Sequence, residues 1–108
     1  MDREHEAIGR LERARATLLA TGQALARSEG GRAPARSEVF REAQAEIHAA
    51  EQERNRLLVE LVGDDESVSV QLASRLGLTG REAVHIIRTA RGGSPRMHEH
   101  VLGTTPEW

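Results

Sequence analysis

Between Val68 and Arg91 the chain reads VSVQLASRLGLTGREAVHIIRTAR, and the spacing of its apolar residues leaves little freedom in how it can fold. Val68, Leu72 and Leu76 stand one helical turn apart, with Ala73 beside Leu72. After the turn Gly77-Leu78-Thr79-Gly80, residues Ala83, Val84, Ile86, Ile87 and Ala90 make an apolar side and leave Arg81, His85 and Arg88 on the other. Recurrence at three and four residues marks a helix with one buried stripe. Thr79 followed three residues later by Glu82 is a capping box, which starts a new helix there. Gly77 supplies the positive φ that closes the first helix. Two short helices joined by a tight turn are therefore expected over residues 63–91. Gly63-Asp64-Asp65-Glu66-Ser67 leads into them, with acids that suit a helix N-terminus.

Upstream the pattern changes to long stripes. Over residues 4–27, Ile8, Leu11, Arg15, Leu18, Gly22 and Leu25 recur at spacings of three and four, and Leu19 widens the stripe. Ser28 to Arg36 breaks it, because a glycine pair holds helix poorly and Pro34 disfavours helical geometry at Ala33. Ser37 is the expected N-cap of a second helix that runs to Val62, with Gly63 as its stop. There Phe40, Ala43, Ile47, Ala50, Arg54, Leu57 and Leu61 repeat the heptad spacing, broadened by Val39, Leu58 and Val62. Together the two helices make an antiparallel hairpin over residues 1–62.

A hairpin alone cannot bury two stripes. A second copy of the chain is expected to cover them through Ile8, Leu11, Leu18, Leu25, Phe40, Ile47, Leu57 and Leu61. The alternative is that the stripes fold back on residues 63–91 within a monomer. Arg15 and Arg54 occupy core heptad positions. Either each finds a carboxylate and sets the register, or its long side chain snorkels to the edge of the stripe, and the second is preferred. Gly22, inside the first helix, either admits a neighbour closely or weakens the helix by about 0.8–1 kcal/mol relative to alanine.

Composition removes several function classes. With no cysteine there are no disulfides and no thiolate metal sites, and a cytoplasmic location is expected. No apolar run approaches the ~20 residues needed to cross a bilayer, and MDREHEAIGR is too charged for a signal peptide. One Phe, one Trp and no Tyr make the core aliphatic. All 15 basic residues are arginine, a bias that reflects GC-rich coding rather than a particular chemistry. No base–nucleophile pair, phosphate loop or apolar carboxylate pair is readable, so no enzyme and no cofactor is expected. Nor do the acids at 64–66 have the spacing of a calcium loop.

The net charge of −2 is unusual for a nucleic-acid binder, but the local balance differs. From Ser67 to His98 there are five arginines (Arg75, Arg81, Arg88, Arg91 and Arg96) against one acid, Glu82. The patch near the contact governs phosphate attraction, since charges beyond about 8 Å are screened at physiological salt.

LASRLGLTGREAVHIIRTAR resembles the helix-turn-helix of bacterial transcription regulators and of the promoter-reading C-terminal region of sigma factors. The match lies in small Ala73 where the helices cross, Gly77 in the turn, Leu78 as a core plug and Thr79 as the cap of the recognition helix. Taken from Val68 to Arg91 it covers about 24 residues, and it is generic to a superfamily. Counted along that pattern, the central core position of the second helix falls on Ala83, where a larger aliphatic is usual, and Val84 on a position that normally faces DNA. Either Gly80 lengthens the turn by one residue and Val84 and Ile87 take the core, or Val84 touches a thymine methyl or a partner. The longer turn is preferred. The resemblance implies that the helix Gly80 to Arg91 enters the major groove of double-stranded DNA. Arg81 and His85 would then lie nearest the bases, Arg88 at a phosphate and Thr79 at the backbone.

Beyond Arg91, Gly92-Gly93-Ser94-Pro95 ends the helix, and residues 92–108 are expected to be a flexible tail, more mobile than the chain before it. Arg91 and Arg96 flank this stretch and could follow the DNA backbone or enter a minor groove, as basic arms do. His98 and His100 lack an evident third ligand, so no metal site is assigned; Val101, Leu102 and Trp108 offer an alternative, docking on the hairpin. The expected molecule is an all-α homodimer, hairpin then helix-turn-helix then flexible tail, that binds DNA in sequence-specific fashion as a transcriptional regulator. The alternative is a helical adaptor whose hairpin and arginine face bind a protein of the transcription machinery.

Overall fold

A computed structural model describes residues 2–28 and 38–104. Among them are five helices and no strand: α1 (Arg3–Ser28), α2 (Glu38–Val62), α3 (Val70–Arg75), α4 (Gly80–Gly92) and α5 (Pro95–Leu102). None of these helices is long and apolar enough to cross a membrane. The break from 29 to 36, the Ser37 cap, the Leu25 side chain and Trp108 lie outside the described residues.

α1 and α2 run antiparallel. Arg3 pairs with Glu60 near one end, Arg10 reaches both Glu46 (2.9 Å) and Glu53 (2.5 Å), and the Phe40 ring lies against Gly22 near the other end. Gly22 thus admits its neighbour: a Cβ there would stand 3.4 Å from the ring. Leu11, Ala14, Ala43 and Ala50 are buried between the two helices.

The main core lies at the Arg3–Glu60 end. Leu57, Leu58 and Val62 of α2 and Ala7 of α1 meet Leu72, Ala73, Leu76 and Leu78 from around α3. Ala83, Ile86 and Ile87 of α4 and Val101 and Leu102 of α5 complete it. Part of each long stripe is therefore covered inside one chain. Leu57 is 5% exposed without any partner copy, whereas Leu61 is 44% exposed. Ile8, Leu18, Phe40 and Ile47 are half-buried.

The connection between α3 and α4 forms as its residues dictate. Ser69 caps α3, its hydroxyl accepting from Leu72 N. At the other end Gly77 takes φ +72°, so that Leu78 N donates to Ala73 O (2.9 Å) and Gly77 N to Ser74 O (3.0 Å). These two bonds make a Schellman closure, which satisfies carbonyls the helix would leave open. Thr79 then caps α4: its hydroxyl accepts from Glu82 N (3.1 Å), and the Glu82 carboxylate accepts from Thr79 N (2.9 Å).

Three expectations are corrected. The turn is not lengthened: α4 starts at Gly80 directly after its cap, so Ala83, Ile86, Ile87 and Ala90 follow the core spacing. Ala83 is fully buried and Val84 is 37% exposed, because the cap sets the rotation of the helix and places Val84 about 100° from the core direction. Arg54 does not snorkel outward. Only 6% of it is exposed, since α5 and α4 pack beside its position on α2; Arg15 is exposed.

The third correction concerns the flexible tail, which over Pro95–Leu102 is a helix docked on α2 and α4. Ser94 caps it by accepting from Met97 N, Pro95 sits at its first position, and Gly103 closes it at φ +73°. Side chains of α2 satisfy its last four carbonyls. Gln52 donates to Glu99 O and His100 O, Asn55 to Val101 O (2.9 Å) and Arg56 to Leu102 O (2.6 Å). Val101 and Leu102 are buried, as the docking alternative expected.

Candidate nucleic-acid interface

The outward side of α4 carries the residues expected to meet DNA. With Ala83, Ile86 and Ile87 turned into the core, Arg81, His85 and Arg88 follow one another at four and three residues, all exposed. Thr79 is exposed at the start of the same helix, although its hydroxyl is already engaged by Glu82 N. Its bonds with Glu82 hold that carboxyl below its ordinary range, so the acid next to Arg81 is firmly ionised.

The remaining two arginines of the set differ. Arg91 is turned back on its own chain, where Nη2 donates to Gly63 O (3.1 Å) and Asp65 O (2.5 Å). It braces the segment between α2 and α3 against α4. Arg96 is exposed in the first turn of α5. Arg75, counted in the local arginine excess, is paired with Glu4 of α1 at 2.9 Å. Among the described residues Arg81 and Arg88 are in no ion pair, and with His85 between them they form the centre of this exposed surface, with Glu82 beside Arg81.

Comparison with known proteins finds no family model that matches the chain, no similar curated protein and no similar solved structure.

Two clefts flank α4. One, of about 550 Å³, lies toward the segment before α3 and is lined by Val68, Val84, Arg88 and Arg91. The other, of about 540 Å³, lies between α2, α4 and α5; Arg81 and His85 line it together with Arg54, Met97 and His100. Arg54 was legible only as an anomaly, an arginine at a core heptad position, and Met97 and His100 were hidden because residues 92–108 read as tail. Among the described residues there is no group of three histidines or acids able to hold a metal ion. A third cleft of about 460 Å³, almost wholly apolar, opens at the far end of α1 and α2, where Leu18, Leu19, Phe40 and Ile47 line it.

Proposed function

We propose that the chain is a cytoplasmic, sequence-specific DNA-binding protein that acts as a homodimer in bacterial transcription control, with α3, the turn and α4 serving as a helix-turn-helix and α4 lying in the major groove. The observation that carries this reading is the row Arg81, His85, Arg88: exposed, beginning in the first turn of a capped helix whose opposite side is fixed in the core. The N-terminal part of such a helix meets base edges. On this reading Arg81 makes a bidentate contact to guanine, worth about 1–3 kcal/mol of discrimination. Arg88, two turns on, meets a phosphate. Arg96 remains an exposed cation for the backbone, and Arg91 supports the interface by bracing the chain behind it.

Binding to a selected site and to a scrambled one, measured across salt concentrations, tests this. Arg81→Ala should lose preference for the selected site. Arg88→Ala should weaken both sites alike and lower the salt slope by about one. If both variants bind as wild type does, the arginine row is solvated surface.

A second reading, a helical adaptor for a protein of the transcription machinery, is favoured by the apolar cleft at Leu18, Leu19, Phe40 and Ile47, which lies away from α4. Under the dimer reading a second copy covers that cleft. A chain that binds neither the selected nor the scrambled site would leave this second reading, and a monomeric mass would leave the cleft open to that partner.

A further inference from the structure

The cleft between α2, α4 and α5 holds a charge that DNA binding does not use. Arg54 lines it and is only 6% exposed, yet its Nε and Nη2 both donate to Asn55 Oδ1 at 3.2 Å, a neutral acceptor. Among the described residues no carboxylate stands within ion-pair distance of it. Burial acts against its charged form; Glu51 and Glu82 oppose that at longer range, and Arg15 adds to it. Buried charges are normally set against an opposite charge.

The same cleft collects a further cation, Arg81 of α4, and two imidazoles able to donate a hydrogen bond, His85 of α4 and His100 of α5. Glu82 also lines it, with its carboxylate engaged at Thr79 N, and offsets one of the arginines. A single negative charge is thus the best match. The remaining wall is apolar, made by Leu78, Ile86, Met97 and Val101. At about 540 Å³ the space falls within the range of small-molecule sites, roughly 300–1,000 Å³.

We propose that this cleft binds a small monocarboxylate with an apolar body, its charge met by Arg54 and Arg81 and its body laid against Ile86, Met97 and Val101. Charge-assisted pairing to a guanidinium supplies the affinity for the head, and the apolar wall supplies it for the body. Because Arg81 and His85 belong to both surfaces, the ligand and DNA exclude each other on α4. That consequence rests on the DNA-binding reading; the site itself does not.

The test is titration of the full chain with octanoate, without DNA, followed by calorimetry and by amide and arginine side-chain NMR shifts. Octanol serves as the uncharged control. Octanoate should saturate at one molecule per chain, shift the Arg54 Nε signal and the amides of Ile86 and Val101, and bind at least about tenfold more tightly than octanol. Arg54→Met, a neutral residue of similar length, and Arg81→Ala, a change at an exposed position, should each weaken octanoate several-fold and leave octanol unchanged. If Arg54→Met fails to fold, Arg81→Ala carries the comparison. Equal binding of octanol and octanoate, wild-type affinity in both variants, or no saturation up to about 10 mM would overturn the site. Should the chain bind octanoate as described but no DNA, the cleft stands and only its competition with DNA falls.

Discussion

At the start of α4, Glu82 closes the capping box and is the one acid among the arginines of residues 67–98. Its bonds to Thr79 lower its pKa in the folded chain. A group so shifted stabilises the fold above its unfolded value, about 4.3, and that contribution disappears as pH falls through the folded value. Glu46, held low by Arg10, and Glu60, held low by Arg3, act in the same direction. The thermal midpoint should therefore fall as the solution is acidified below about pH 4.3. Glu82→Gln keeps a box-competent side chain but cannot titrate, so its acid limb should be shallower than that of wild type. Thr79→Ala should cost about 1 kcal/mol at neutral pH, the usual loss of a threonine cap. Midpoints followed from pH 3 to 7, about the span in which carboxyls titrate, check both, and parallel acid limbs for wild type and Glu82→Gln would reject the assignment.

On the scale of elements, α5 is held by polar groups as well as by its apolar side. Asn55 is buried, gives its Nδ2 to Val101 O and offers its Oδ1 to Arg54. Asn55→Ala would strand both partners, and each buried group left without its bond costs about 1–3 kcal/mol. Urea unfolding should register that loss, and hydrogen exchange should show α5 losing more protection than α2. Unchanged protection across α5 would mean that packing alone holds it. The contrast with α4 explains what could be read beforehand. Thr79 and Glu82 are three residues apart, so their box is written in local sequence. Ser94, Pro95 and Gly103 are equally local start and stop signals, but Gly92-Gly93 in front of them read as an ending. The α2 residues that cap α5 lie 46 to 48 positions away, a pairing that periodicity does not encode. Burial of Arg54 was missed for the same reason: a heptad position indicates which way a residue points, not which later helix will cover it.

At the scale of the molecule, the described residues span 51 × 30 × 24 Å, with the main core at one end and the apolar cleft of α1 and α2 toward the other. Leu19 is 64% exposed there, while Leu57 is buried within the single chain. The proposed association is accordingly expected at the Leu19 end. Leu19→Glu should leave helicity intact and lower the mass by light scattering to that of one chain. Leu57→Glu should unfold the chain, because it puts an unpaired charge into the core. A wild-type chain that is already monomeric at micromolar concentration would discard the dimer and leave the cleft to a different partner. Surface ion pairs such as Arg3–Glu60 and Arg10–Glu46 contribute little each, so they orient α1 on α2 rather than hold it.

The capping of α5 by α2 has a consequence for the order in which the chain is made. Gln52, Asn55 and Arg56 leave the ribosome long before the carbonyls they will bind, at roughly 5–20 residues per second. Until Val101 and Leu102 follow, the side of α2 beside Leu58 lacks its cover, and the donors of Asn55 and Arg56 are met by water. The nascent chain can assemble α1 to α4 from nearer contacts, but the core closes only when α5 arrives. A message truncated just after Gly93 would still encode α1 to α4, and its product would reach the cell with that core open.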